Sequence, residues 1–273
     1  MTRKRAITLL LALSLLLTAA GCAESTAPDP TPASTPAETE TPAETAAPVE
    51  TPEPTETPAP KKTLPPPPDV DINSWEFLYA GPKCGVGRYH PAVENVENQY
   101  MDKRCAAATR EFLDAARAQG YTLYMCTAYR NFEYTIFWYE KAIRDYGSAY
   151  EACRHGFAAG CSEHSTGLAF DITDEMKYWA DMNYSNVHDE TVADTEVCKW
   201  MDAHCAEYGF IVRYPESRKE VFGMSCYPGH YRYVGKEAAQ YIMDNDICFE
   251  EFLALYGVRI AGVNYVDEYE IRA

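Results

Sequence analysis

Apolar and polar positions alternate in recognisable blocks from about residue 100 onward. Between Tyr100 and Gln119, Cys105, Ala108, Phe112 and Ala116 recur at helical spacing and Gly120 follows, so the pattern predicts a helix with a glycine stop. Tyr121–Cys126 is short and apolar enough for a strand. Asn131 is placed to cap a second helix running to about Tyr146, with Ile136, Phe137 and Ile143 facing inward and Gly147 behind. Leu168–Ile172 reads as a buried strand. Thr195 caps a third helical pattern through Val197, Trp200, Met201, His204, Cys205 and Tyr208, closed by Gly209. Phe210–Tyr214 and Tyr231–Val234 read as strands, followed by helices near 236–245 and 249–256. Helices gathered early and late around a few central strands indicate an α+β fold, a single domain with a small central antiparallel sheet.

The first seventy residues follow a different rule. Met1 to Arg5 is a basic head, and Ala6 to Ala20 is apolar but for Thr8, Ser14 and Thr18. That run is too short for a comfortable membrane span and matches the central part of a secretion signal. Ala19-Ala20-Gly21 before Cys22 resembles a bacterial lipoprotein signal, although Ala19 stands where leucine is usual; Cys22 is the expected lipidation site, and simple cleavage is the alternative. Residues 23–71 form an expected disordered linker, rich in Pro, Thr and Glu. Fourteen of the 18 prolines precede Asp69, a composition that buries no core. The domain is expected over 72–273. These features imply an exported protein on the outer face of a bacterial membrane, held by an N-terminal lipid or else secreted.

Net charge is −17, most of it on the domain. Such a surface repels nucleic acid and anionic headgroups, so nucleic acid is excluded as a partner. Nine of the ten cysteines lie in the domain. Cys153 with Cys161 is one local disulfide candidate, and the remainder read as small buried residues, since no CxxC pair marks a structural zinc ribbon.

Two segments concentrate the chemistry: Ser162-Glu163-His164-Ser165-Thr166-Gly167-Leu168-Ala169-Phe170-Asp171, and His230-Tyr231-Arg232-Tyr233-Val234-Gly235. Two imidazoles and a carboxylate suit Zn2+ and leave a fourth position for water, whose pKa the metal draws down to ~7. His164, Asp171 and His230 supply that set. His90, His155, His188 and His204 sit in no motif and read as structural or exposed.

The pattern S-x-H-x-x-G-x-A-x-D, complete from Ser162 to Asp171, and H-x-R-Y-V-G, complete from His230, resemble the VanY-type D-alanyl-D-alanine carboxypeptidases, within the wider lysostaphin- and hedgehog-like group. Thr127-Ala128-Tyr129-Arg130 and the stretch Gly209 to Glu216 also look like that family, and the resemblance covers about 102–253. It implies zinc ligation by His164, Asp171 and His230, with Arg130 and Ser162 in the substrate pocket. The implied reaction is hydrolysis of the terminal D-Ala–D-Ala, or a related, bond in peptidoglycan stem peptides.

Two positions depart from the pattern, Tyr227 in place of glutamate and Gly229 in place of tryptophan. The family carries E-P-W-H here, and its glutamate is the general base; this chain has Tyr227-Pro228-Gly229-His230. A phenol is a poor proton acceptor at neutral pH, and loss of a positioned base typically removes about 10²–10⁴ in rate. Glu163, Glu175 and Glu216 are the nearby carboxylates that could substitute; Cys161 or Cys226 as a nucleophile lacks a motif. The competing expectation is a catalytically impaired wall-binding module that keeps its metal.

Overall fold

A computed structural model describes residues 61–272 except 82–83, 155–157, 175–191, 223–225 and 266–268. The signal segment with Cys22, most of the linker, His155, His188 and Glu175 therefore lie outside the described residues.

In chain order the strands are β1 Lys62–Leu64, β2 Val93–Val96, β3 Gln99–Asp102, β4 Tyr124–Thr127, β5 Ala169–Thr173, β6 Phe210–Val212, β7 His230–Tyr233 and β8 Tyr269–Ile271. The helices are α1 Ala106–Ala118, α2 Phe132–Tyr146, α3 Ala149–Arg154, α4 Glu196–His204, α5 Lys219–Phe222, α6 Lys236–Asp244 and α7 Phe249–Leu255. The central sheet has the order β4-β5-β7-β6 with every pairing antiparallel. Two small pairs, β1–β8 and β2–β3, stand outside it. This is the expected α+β architecture.

Side-chain alternation sorts the sheet into two faces. Phe170 on β5, Tyr231 on β7 and Phe210 on β6 point to one side and pack around Phe112 of α1. Phe112 stacks on Tyr208 at 5.1 Å and Phe210 at 5.6 Å, and meets Tyr231 edge-on at 5.4 Å. The intervening residues Asp171, Ile211, His230 and Arg232 belong to the opposite face. There Ile211 joins a second apolar cluster with Leu64, Phe77, Ile242, Phe249 and Phe252.

Three local expectations are corrected. The segment 100–102 is strand, not helix. Glu97 and Asn98 both take positive φ (52° and 67°), which folds β2 and β3 into a tight hairpin. A Glu-Asn pair is a weaker sequence signal for that turn than Asn-Gly. Helix α1 starts only at Ala106. Phe137, expected inward, is 56% exposed, and Ala142 is the one buried residue of α2 among those described. Helix α2 is well capped, by Asn131 accepting from Tyr134 N at one end and Gly147 at the other, so local signals fix its limits while little core recruits its apolar residues. The pattern at 195–209 is helical throughout but divides at Cys205 into α4 and a 3-10 turn.

Packing begins before Ile72. Leu64 is fully buried, β1 runs parallel to β8, and the Tyr241 hydroxyl donates to Pro65 O at 2.7 Å. Prolines that cannot join a ladder still offer carbonyls, and tyrosine hydroxyls of α6 and just beyond α7 (Tyr256, to Pro68 O) take them up. Leu64→Ala should therefore lower stability by about 2–5 kcal/mol in equilibrium urea unfolding; a change under 0.5 kcal/mol would show that this segment does not belong to the domain.

Candidate metal centre

The site is built on the register of β5 and β7. Asp171 and His230 are direct cross-strand partners, so their side chains leave the same face as neighbours. Asp171 Oδ1 lies 2.6 Å from His230 Nδ1. His164 arrives from outside the sheet, on a 3-10 turn over Glu163–Thr166. Ser162 Oγ accepts from His164 N at 3.3 Å to start that turn, and Gly167, at φ 74°, ends it. A side chain at Gly167 would meet Pro91 and the Asp102 backbone at 3.1–3.2 Å, so the turn from His164 into β5 needs glycine both for its angle and for space.

His164 Nε2 stands 3.3 Å from Asp171 Oδ2, and the two imidazoles cross at 80° with centroids 5.0 Å apart. One donor atom from each of His164, Asp171 and His230 lies within 4.8 Å of the others, and all three residues are buried. Both ring nitrogens of His164 and Asp171 Oδ2 are buried without a hydrogen-bond partner. Orphaned polar atoms of that kind are rare in a folded interior, and here two of them, His164 Nε2 and Asp171 Oδ2, lie side by side. Two imidazoles and a carboxylate are a zinc-type donor set, so the residues fit the metal the sequence motifs imply.

Electrostatics reinforce that fit at His164 and Asp171, whereas at His230 burial alone would lower the imidazole pKa but the Asp171 carboxylate outweighs burial and raises it. His164 is pulled down to about 4, by burial first and then by the Arg130 guanidinium, so its imidazole is neutral and able to donate a lone pair at pH 7. Burial alone would raise Asp171, but His164 and His230 outweigh it and hold the carboxyl well below the usual range. Arg130 N donates to His164 O at 3.1 Å, which places this expected substrate residue beside the first ligand. The Ser162 hydroxyl is engaged locally, presenting His164.

Of the carboxylates considered as replacement bases, Glu216 is 62% exposed at its side chain and pairs with Lys219. Glu163 is fully enclosed: its Oε1 accepts from Arg213 Nε at 2.7 Å and Arg232 Nη1 at 3.0 Å. Burial would raise it, but those two guanidiniums hold it far below an ordinary carboxyl, the opposite of what a proton acceptor needs. Tyr227 packs edge-on against His230, centroids 5.3 Å apart at 87°, and Tyr214 covers another side of the same ring at 5.4 Å. Buried thiols are no better placed as nucleophiles. Burial pushes Cys105, Cys198 and Cys205 up to about 12, and these three are in no disulfide. The Cys153 side chain, and with it the expected Cys153–Cys161 bridge, lies outside the described residues. His90 is exposed against Tyr129, and His204 stacks on Trp200 at 4.4 Å while meeting Glu207.

The model of the VanY D-alanyl-D-alanine carboxypeptidase family matches residues 98–236. This chain belongs to that family. It is 30% identical to a D-alanyl-D-alanine carboxypeptidase of Enterococcus faecalis over 193 residues, 67% of each protein. It is 35% identical to YodJ of Bacillus subtilis, a protein named as a carboxypeptidase, over 58% of this chain but only 55% of that one. Among solved structures, the LdcB LD-carboxypeptidase superposes with a TM-score of 0.55 at 30% identity, covering 66% of this chain and 86% of that one. A variant of the vancomycin-resistance D,D-pentapeptidase VanY in complex with Zn(II) gives 0.53 at 29% identity, over 66% and 99%. VanYB in complex with D-alanine-D-alanine gives 0.55 at 28%, over 66% and 98%.

Sequence reasoning did not find Arg213 and Arg232, which hold Glu163, or Glu250, which holds Arg213. Arg232 was visible inside H-x-R-Y-V-G and Arg213 inside Phe210-Ile-Val-Arg213-Tyr-Pro, but neither motif says that its arginine is buried.

Gly229, where the family pattern has tryptophan, adopts φ 74°, and its added Cβ would lie 3.2 Å from Val192 Cγ1 and 3.3 Å from Ile172 O. The turn into His230 thus uses a backbone conformation that a side chain rarely takes. Gly229→Ala should cost about 1–2 kcal/mol for the left-handed backbone, read by chemical denaturation. An unchanged midpoint would show that the turn does not need glycine.

Proposed function

We propose that this chain is a zinc-dependent carboxypeptidase acting on the terminal D-Ala–D-Ala, or a related, bond of peptidoglycan stem peptides, held outside the cell by a lipid on Cys22. The observation that carries this reading is the convergence of His164, Asp171 and His230 beside Arg130, in a chain of the VanY family. Relatives described in complex with Zn(II) and with D-alanine-D-alanine support the choice of metal and substrate.

Zinc would supply the Lewis acid and the activated water. The chain's own residues supply the rest. His164 and His230 offer imidazoles at right angles, Asp171 balances the ion's charge, and the buried sheet face excludes bulk water. Arg130 offers a guanidinium fork to the terminal carboxylate of a peptide, or to the carbonyl oxygen that gains charge as water adds to the carbonyl. The Pro/Thr/Glu-rich segment gives a tethered domain reach through the surrounding wall.

A second reading is favoured by one specific feature, Tyr227 standing where the family pattern places its general base. A site that holds metal and peptide but turns over slowly would be a wall-binding module. Purified protein incubated with a defined pentapeptide decides between them. Release of D-alanine that a chelator stops and Zn2+ restores is expected; tight peptide binding with no release over hours would establish the binding module instead. His164→Ala should remove zinc stoichiometry under either reading.

Tyr227→Glu separates two histories of the site. A rise of 10²-fold or more in turnover is expected if only the base is missing. A fall would show that the phenol against His230 has become part of the site.

A further inference from the structure

His230 has two ring nitrogens and two acidic neighbours. Nδ1 faces Asp171 Oδ1 at 2.6 Å, the carboxylate of the candidate ligand set, whereas Nε2 faces Glu163 Oε2 at 3.5 Å. We propose that Glu163 is a positioning residue that fixes the His230 tautomer, holding the proton on Nε2 so that Nδ1 keeps its lone pair for the metal. This rests on the metal-centre reading above and extends it to residues outside the ligand set.

The geometry leaves Glu163 little freedom. Arg213 grips Glu250 with both terminal nitrogens, at 2.9 and 2.6 Å, and Glu163 Oε1 with Nε. Arg232 binds the same Oε1 and anchors its other end on Glu76 O and Leu78 O at 2.9 and 2.7 Å. Tyr79 donates to Glu250 at 3.0 Å. Every charged member of this chain is essentially free of solvent. The two arginines can only donate. They therefore commit Oε1 and orient the carboxylate so that Oε2 is the oxygen left for His230. An acceptor at that point favours N–H on Nε2, and a ligating imidazole commonly has its other nitrogen held in this way.

The near-isosteric Glu163→Gln gives a directional test. Its single carbonyl oxygen must take the Oε1 place, because two guanidiniums face it. The amide NH2 is then forced toward His230 Nε2. A donor there draws the proton off Nε2 and onto Nδ1, the nitrogen that the metal needs. Glu250→Gln is the matched control: it removes an equally buried charge from the same network without touching His230.

The probe is Zn2+ alone, measured on the purified full-length protein by competition with a chelator. Glu163→Gln is expected to weaken zinc about 10–100-fold, with Glu250→Gln within about threefold of wild type. Equal weakening by both would overturn the proposal, since a merely structural network predicts that result. Should Glu163→Gln fail to fold, the wild type decides. With 15N-labelled histidine and zinc bound, His230 is expected to show a protonated Nε2 and a metal-bound Nδ1, and the reverse pattern sinks the idea. A protein that binds no zinc would end both this inference and the hydrolase. One that binds zinc in this manner but releases no D-alanine would end only the hydrolase.

Discussion

The candidate metal centre depends on one cross-strand pair, Asp171 opposite His230, buried on a sheet face. A carboxylate in that place is unfavourable by itself, because burial penalises the ionised form. It is tolerated because two imidazoles converge on it, and because the next layer is a closed chain of opposite charges. Glu250, Arg213, Glu163 and Arg232 alternate in sign, each held by at least two partners. Removing one member of such a buried set typically costs about 3–5 kcal/mol, since its partner is left uncompensated. The network is therefore better understood as fixing an arrangement than as adding stability.

That arrangement joins distant parts of the chain. Arg232 reaches the carbonyls of Glu76 and Leu78, Tyr79 reaches Glu250 on α7, and Glu163 immediately precedes the first ligand. The N-terminal segment, the C-terminal helix and the metal face thus share one set of hydrogen bonds. Leu64 and Phe77 pack with Phe249 and Phe252 on the same side. The packed domain also takes in residues that composition alone assigns to a linker: Leu64 is buried in that cluster, and the carbonyls of Pro65 and Pro68 are taken up by Tyr241 and Tyr256.

The turn from Tyr227 to His230 differs from its family pattern in two linked ways. A tyrosine ring packs where a carboxylate would stand, and a left-handed glycine occupies the adjacent tryptophan position. Tyr227 also belongs to an aromatic group with Tyr214 and Phe222. The departure is thus a change of packing around His230 as well as a change of side-chain chemistry, and neither Glu163 nor Glu216 is free to act as a carboxylate in its place. Glu163 is taken by arginines and Glu216 faces solvent.

The sequence by itself determined the α+β class, most helix and strand positions, and the three residues of the candidate metal centre, because each rests on local spacing: helical and alternating periodicity, capping residues, and two compact motifs. It could not place the β2–β3 hairpin, whose Glu-Asn turn lacks the usual glycine, nor tell that α2 leaves Phe137 in solvent, since periodicity shows which residues share a face but not whether anything covers it. Only the tertiary structure decided that Glu163 is an arginine-bound neighbour of His230 and not a base, that Leu64 is core, and that Arg213 and Arg232 are buried. Those outcomes come from strand register and from contacts more than 30 residues apart in the chain, where charge identity is visible in the sequence and its environment is not.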